Sequence, residues 1–177
     1  ATRTVLGDAQ HRWLEGALAG SAAAWNMIAQ NVLMMTVVEG TTESPRHYSD
    51  AWAGYPPARE RFYAALAKHR TANPVVLTGD IHSFWVNDLA NAAGDAVGVE
   101  LVTSSIATST YDKSAVLPLN PGTLFHDGEH NGYVRCELTR EKLCADIVTI
   151  ADRADRASGP AVTAAFDIAS GEPHARR

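Results

Sequence analysis

The chain has 177 residues, 46% of them hydrophobic and 20% charged, which suits a compact core and excludes a disordered chain. The formal net charge is −5 and the Lys and Arg residues are scattered, which argues against a nucleic-acid or anionic-membrane surface, since either needs a basic stripe. No apolar run reaches the length of a membrane-spanning helix, and the longest, Val32 to Val38, has the length of a buried strand.

The chain opens on Ala1-Thr2-Arg3-Thr4, without an initiator Met and without the charged-then-apolar pattern of a signal peptide. A processed product and a fragment both account for that. Asp8 reads as the N-cap of a first helix, with Trp13, Leu14, Ala17 and Leu18 on one face and Gly20 at its end. A strand comes next from Trp25 to Ala29, interrupted by the carboxamides Gln30 and Asn31. These either mark a site at the strand end or satisfy neighbouring backbone groups. Glu39 to Pro57 reads as a loop with Tyr48, Trp52 and Tyr55, and Ala58 to Arg70 as a second amphipathic helix stopped by Asn73-Pro74.

Val75 to Thr78 is a β-branched run of the buried-strand type and leads into Gly79-Asp80-Ile81-His82. Gly98 to Thr103 is the next predicted strand, and Tyr111 to Asp127 a long loop. Tyr133 to Leu138 and Leu143 to Ile150 flank Thr139-Arg140-Glu141-Lys142 as a β-hairpin. A last strand is expected over Val162 to Ile168, then a frayed tail from Gly171. Cys136 and Cys144 fall on the two hairpin arms, as a disulfide or as two thiols in apolar positions. Helices alternating with buried strands, and then a hairpin, predict an α/β sandwich.

The segment richest in chemistry is Val75-Val76-Leu77-Thr78-Gly79-Asp80-Ile81-His82-Ser83. It delivers a carboxylate and an imidazole at the C-terminal end of a strand, where open α/β sheets bind ligands. In extended backbone, residues two apart project to one side. Asp80 and His82 would then converge on one point and suit zinc, iron or manganese. The competing interpretation is a helix cap beside a surface histidine.

The stretch VVLTGDIHSFWVNDL closely resembles the last metal-binding motif of PhoD-like alkaline phosphatases. Leu6-Gly7-Asp8-Ala9-Gln10 with Trp13-Leu14, Trp25 to Met35, Asp50-Ala51-Trp52-Ala53-Gly54-Tyr55-Pro56 with Arg59, Val99 to Ile106, and Asn131 to Val134 resemble further segments of that family in the same order. The resemblance implies the C-terminal part of a calcineurin-like α/β sandwich, residues 1–177 forming the later portion of one metallophosphoesterase domain. It implies hydrolysis of phosphomonoesters or phosphodiesters by metal-activated water, iron and calcium as the metals, and export from the cytoplasm. Asp80 and His82 become metal ligands, with Asn31 and Gln30 as further donors. Arg59, Tyr55 and His130 become candidates for contact with the phosphate ester. For Arg59 a solvated helix position, for Tyr55, Trp52 and Trp85 ordinary core packing, and for His130 a surface loop are the alternatives.

The family's early carboxylate segment, of Asp-Asp-His-Glu type, has no counterpart here. The isolated chain is therefore expected to lack a complete site and to be inactive, with a missing N-terminal half as the natural partner. A non-catalytic metal-binding or assembly domain, or one chain of a split hydrolase, are the rival functions.

Overall fold

The computed structural model describes residues 3–177. Helix α1 spans Gly7–Ala19, strand β1 Asn26–Ala29, β2 Val38–Gly40 and β3 Pro45–His47. A 3-10 turn at Trp52–Gly54 leads into helix α2, Pro56–Lys68. Then come β4 (Pro74–Thr78), β5 (Phe84–Ala90), β6 (Ala96–Val102), a 3-10 stretch at Ser114–Leu119, and β7 (Thr123–Asp127). The chain ends with β8 (Asn131–Leu138), β9 (Lys142–Ile150), β10 (Pro160–Ala169) and β11 (Ala175–Arg176).

Two larger sheets form the body. The first has the order β1-β4-β6-β5-β7, with β1, β4 and β6 mutually parallel and β5 antiparallel to both β6 and β7. The second, β11-β10-β9-β8, is an antiparallel run of consecutive strands. Phe84, Val86, Val99 and Leu101 of the first sheet share one apolar core with Leu143, Ile147, Phe166 and Ile168 of the second. The opposite face of the first sheet packs, through Val76 and Leu89, against Phe62, Tyr63 and Leu66 of α2 and Leu18 of α1. This is an α/β sandwich, as the alternation of elements predicts.

Several local expectations are corrected. Asp8 is not the cap of α1: the helix starts at Gly7, and the Thr4 hydroxyl accepts the Gly7 N–H at 2.6 Å. Val32 to Val37 is not a strand, and only Val38, the first residue of β2, is paired. Leu33, Met34 and Val37 are buried, but the main-chain donors there go to side chains, Met34 and Met35 to Glu100 and Val38 to Asn120. The 39–57 loop contains the small β2–β3 ladder, and the 111–127 loop contains β7. The tail is docked: Ala175 pairs with Ile168 and is 2% exposed.

Strand β5 escapes a periodicity search because Phe84 to Asn87 are buried on both faces, so nothing alternates. The predicted hairpin is present as β8–β9, with Cys136 opposite Ala145 and Cys144 opposite Glu137. This one-residue offset puts the two thiols on opposite faces of the sheet, and both are free. The disulfide is excluded by register.

Candidate metal centre

Parallel β1, β4 and β6 end together, and the segments leaving their C-terminal ends form one rim. Asn31 stands level with Gly79, whose N–H donates to the Asn31 carbonyl at 3.3 Å. Thr103 donates its N–H to the Thr78 carbonyl at 3.0 Å. The turn Gly79–Ser83 leaves β4 between these two neighbours.

The turn is not extended. Asp80 has φ 70° and His82 φ 56°, both left-handed, and the Ile81 N–H donates to the Gly79 carbonyl at 2.9 Å. The premise that extended backbone aims both side chains to one side is therefore wrong. What fixes the turn is Ile81, which is 4% exposed and sunk among Leu33, Trp85 and Val102. Asp80 is exposed and His82 half-buried. The His82 ring stacks on Tyr111 at 5.2 Å between centroids and 7° between planes, and the Tyr111 N–H donates to the His82 carbonyl at 3.0 Å. His82 Nδ1 is buried and has no hydrogen-bond partner among the described residues.

The wall around this turn is built by residues that carry no sequence motif. His126 is almost fully buried, lies 4.2 Å from the Trp85 ring, bonds the Phe84 carbonyl through Nδ1, and accepts the Lys113 N–H at 3.0 Å. It thereby holds the 111–113 segment beside His82. Gly128 is needed for close approach, since a Cβ there would lie 2.4 Å from Asp112 Cα and 2.5 Å from the Tyr111 carbonyl oxygen. Lys113 pairs with Glu39 at 2.5 Å and lies over the Tyr48 ring at 5.8 Å. The Tyr48 phenol is pushed above its ordinary range, first by burial and then by the negative charges of Asp80 and Asp50, with Lys113 acting the other way. Tyr48 is thus an electrostatic neighbour of Asp80. No motif points to Tyr111, Lys113 or His126, whose roles come from contacts between loops distant in sequence.

The remaining candidates are divided between rim and core. The Gln30 oxygen accepts the Val32 N–H at 3.1 Å and the Trp52 indole N–H at 3.0 Å, and its amide donates to the Val32 carbonyl. Backbone satisfaction accounts for Gln30, which leaves the ligand set. Asn31 is exposed, and among the described residues only its carbonyl is engaged. Arg59 is neither solvated nor free: it bonds Thr36, lies 3.7 Å from Glu60 and 5.9 Å from the Tyr63 ring centroid. Tyr55 starts α2 through its carbonyl and carries Arg3 over its ring at 4.6 Å. The structure does not bring Arg59 or Tyr55 into contact with Asp80 or His82. His130 sits on the neighbouring rim, with Nδ1 2.8 Å from Asp127 and its carbonyl accepting the Ser104 hydroxyl at 2.9 Å. Trp52 and Trp85 are core residues at 3% and 0% exposure.

The family model described as PhoD-like phosphatase matches residues 1–147. The chain belongs to the PhoD-like phosphatase family. Alkaline phosphatase D of Bacillus subtilis (strain 168) is 36% identical over 154 residues, covering 81% of this chain and 26% of that protein. A solved structure described as "Structure of PhoD" superposes with a TM-score of 0.88 at 30% identity, over 99% of this chain and 35% of the other. The chain thus spans about a quarter to a third of the length of these PhoD relatives. Within the described residues no group of three or more His, Cys, Asp and Glu side chains gathers around one point.

Proposed function

We propose that this chain carries the Asp80–His82 portion of the metal centre of a phosphoesterase acting on phosphate mono- or diesters. The observation that carries the proposal is the Asp-x-His turn at the common end of the parallel strands, with a buried, unpartnered His82 Nδ1 in a member of the PhoD-like family. An imidazole nitrogen withdrawn from water and left without a hydrogen bond costs about 1–3 kcal/mol unless something else occupies its lone pair. A metal ion does so, and the exposed Asp80 carboxylate beside it is a fitting second donor. The Asn31 carboxamide, level with Gly79, is the third.

A bound cation in such a site polarises phosphoryl oxygens and acidifies water. The chain's own residues hold and shape the site. Tyr111 fixes the plane of the His82 ring, His126 fixes Tyr111 through the Lys113 backbone, and Lys113 offers a positive charge near Tyr48. Iron and calcium are inferred from the family resemblance, as is a location outside the cytoplasm. No helix among the described residues is long and apolar enough to cross a membrane. A two-metal site needs more donors than Asp80, His82 and Asn31, so the remaining ligands are placed outside the described residues. The phosphate ester is the partner, and the candidates for contact with it are Arg59, which bonds Thr36, Tyr55, which carries Arg3 over its ring, and His130, which pairs with Asp127 on the rim.

The test is metal content and hydrolysis of p-nitrophenyl phosphate and bis-p-nitrophenyl phosphate, with iron and calcium supplied. The isolated chain is expected to turn over neither. A longer natural polypeptide containing it is expected to be active and to lose at least 100-fold in Asp80→Asn and His82→Ala. Metal-dependent turnover by the isolated chain that disappears in Asp80→Asn would show a complete site here and overturn the partial-site reading. A longer polypeptide unaffected by both substitutions would overturn the ligand assignment.

A further inference from the structure

Glu100 lies in the middle of β6 and is 0% exposed. Its carboxylate receives four donors. Oε1 accepts the Met34 N–H at 2.6 Å and the Thr78 hydroxyl at 3.2 Å. Oε2 accepts the Met35 N–H at 3.1 Å and the Asn87 amide at 3.1 Å. Asn87 in turn accepts the Thr123 hydroxyl of β7 at 3.0 Å. Two of the four donors are main-chain N–H groups, which can only donate, so each oxygen must accept. Burial pushes the carboxyl above its usual range, and the Met34 and Met35 N–H groups draw it back down.

The placement of these donors is what matters. Met34 and Met35 belong to the irregular segment that runs on from Asn31. Thr78 is the last residue of β4, one residue before Gly79 and two before Asp80. The two segments meet at the bond from the Gly79 N–H to the Asn31 carbonyl. Main-chain donors in a buried segment without strand pairing need an acceptor, and Glu100 supplies it from beneath. We propose that Glu100 is a positioning residue for the metal centre, clamping the Asn31 segment to the Asp80 turn through the sheet. This rests on the reading of Asp80, His82 and Asn31 as ligands.

Glu100→Gln replaces an acceptor by a donor without changing size. Its NH2 group is most easily tolerated on the Asn87 side, where the partner amide can turn round, and the Met35 N–H then loses its acceptor. Hydrogen exchange of the chain measures the clamp without any metal. In Glu100→Gln, the Met35 and Gly79 amides are expected to exchange at least tenfold faster, while those of β9 and β10 keep their protection. Unchanged protection at Gly79 overturns the clamp.

Should Glu100→Gln fail to fold, wild-type exchange at low denaturant decides the matter. Met34, Met35 and Gly79 are expected to open with one common free energy, and independent opening of Gly79 overturns the proposal. Mn2+ titration then tests the link to the site. Glu100→Gln is expected to weaken Mn2+ binding about tenfold, and by no further factor in an Asn31→Ala background. Full Mn2+ affinity in Glu100→Gln, where Asn31→Ala has lost it, overturns the positioning role. A wild-type chain that binds no Mn2+ counts against the Asp80–His82 reading, while the exchange result still decides whether the clamp exists.

Discussion

Asp80 is an exposed L-residue held at φ 70°. That conformation costs about 1–2 kcal/mol for a residue with a Cβ, and glycine escapes it. Asp80→Gly removes that cost but adds back about 0.4–1 kcal/mol through the freer unfolded chain. Asp80→Ala keeps the strained backbone and gains nothing. The glycine variant should therefore be the more stable of the two by about 1 kcal/mol, or about 2–4 °C in Tm for a chain of this size. The same pair of residues compared at Ala165, exposed in the middle of β10, should reverse sign, with Gly costing about 0.5–1 kcal/mol. Thermal or urea unfolding of the variants measures both differences. Both Asp80 variants should also lose Mn2+ binding, so that the strain relieved in Asp80→Gly is strain held at the site. An Asp80→Ala protein that unfolds at or above the temperature of Asp80→Gly would refute the reasoning, because the left-handed turn would then not be where strain is held.

Electrostatics and register give two more expected outcomes. The Tyr48 phenol is raised first by burial and then by the Asp80 charge, so Asp80→Asn should lower its ionisation midpoint without returning it to the ordinary value. The sign is set by the anion, which disfavours phenolate, and absorbance titration in the alkaline range reads it; an unmoved midpoint would place Asp80 away from Tyr48. Cys136 and Cys144 should remain two titratable thiols after mild oxidation, since they lie on opposite faces of the β8–β9 sheet. Both are expected to react slowly with alkylating reagents, Cys136 because partial desolvation and the Asp146 charge raise its thiol although the residue is exposed, and Cys144 because a hydrogen bond with Asp167 does. A chain that becomes one intramolecularly bridged species on oxidation would contradict the observed pairing.

Much of the frame is legible in the sequence. The helical stripes of α1 and α2, the apolar runs of β1, β4 and β6 and the alternating arms of β8 and β9 all carry periodicities that local packing enforces. Strand β5 is invisible to that approach because burial on both faces erases alternation. The 32–38 run misleads because Leu33, Met34 and Val37 are buried while the Met34 and Met35 N–H groups are served by Glu100 rather than by a neighbouring strand. At the site, Asp80 and His82 stand out by residue type and by their place after a buried run. The left-handed turn does not, since neither Asp80 nor His82 is the glycine that such a backbone favours. Gln30 is ambiguous in sequence because a carboxamide at a strand end serves backbone and ligand equally well, and only the indole of Trp52 and the Val32 peptide groups decide between them. Tyr111, Lys113 and His126 are silent, because stacking and backbone capture between distant loops leave no spacing to read.

The second sheet is made of strands consecutive in the chain, β8 to β11, each paired with the one before it. The first sheet is different: β1 pairs with β4, and β6 arrives later to lie between β4 and β5. Local pairing closes short loops and is fast, whereas the parallel ladder must first close long ones. During synthesis the order is inverted, because the slow sheet leaves the ribosome first and the quick one last. Until Leu143, Ile147 and Phe166 emerge, the face carrying Phe84, Val86 and Leu101 lacks these packing partners. Over this stretch of synthesis the apolar face of the first sheet therefore waits for β9 and β10, so a chaperone that shields it would be needed until those two strands have emerged.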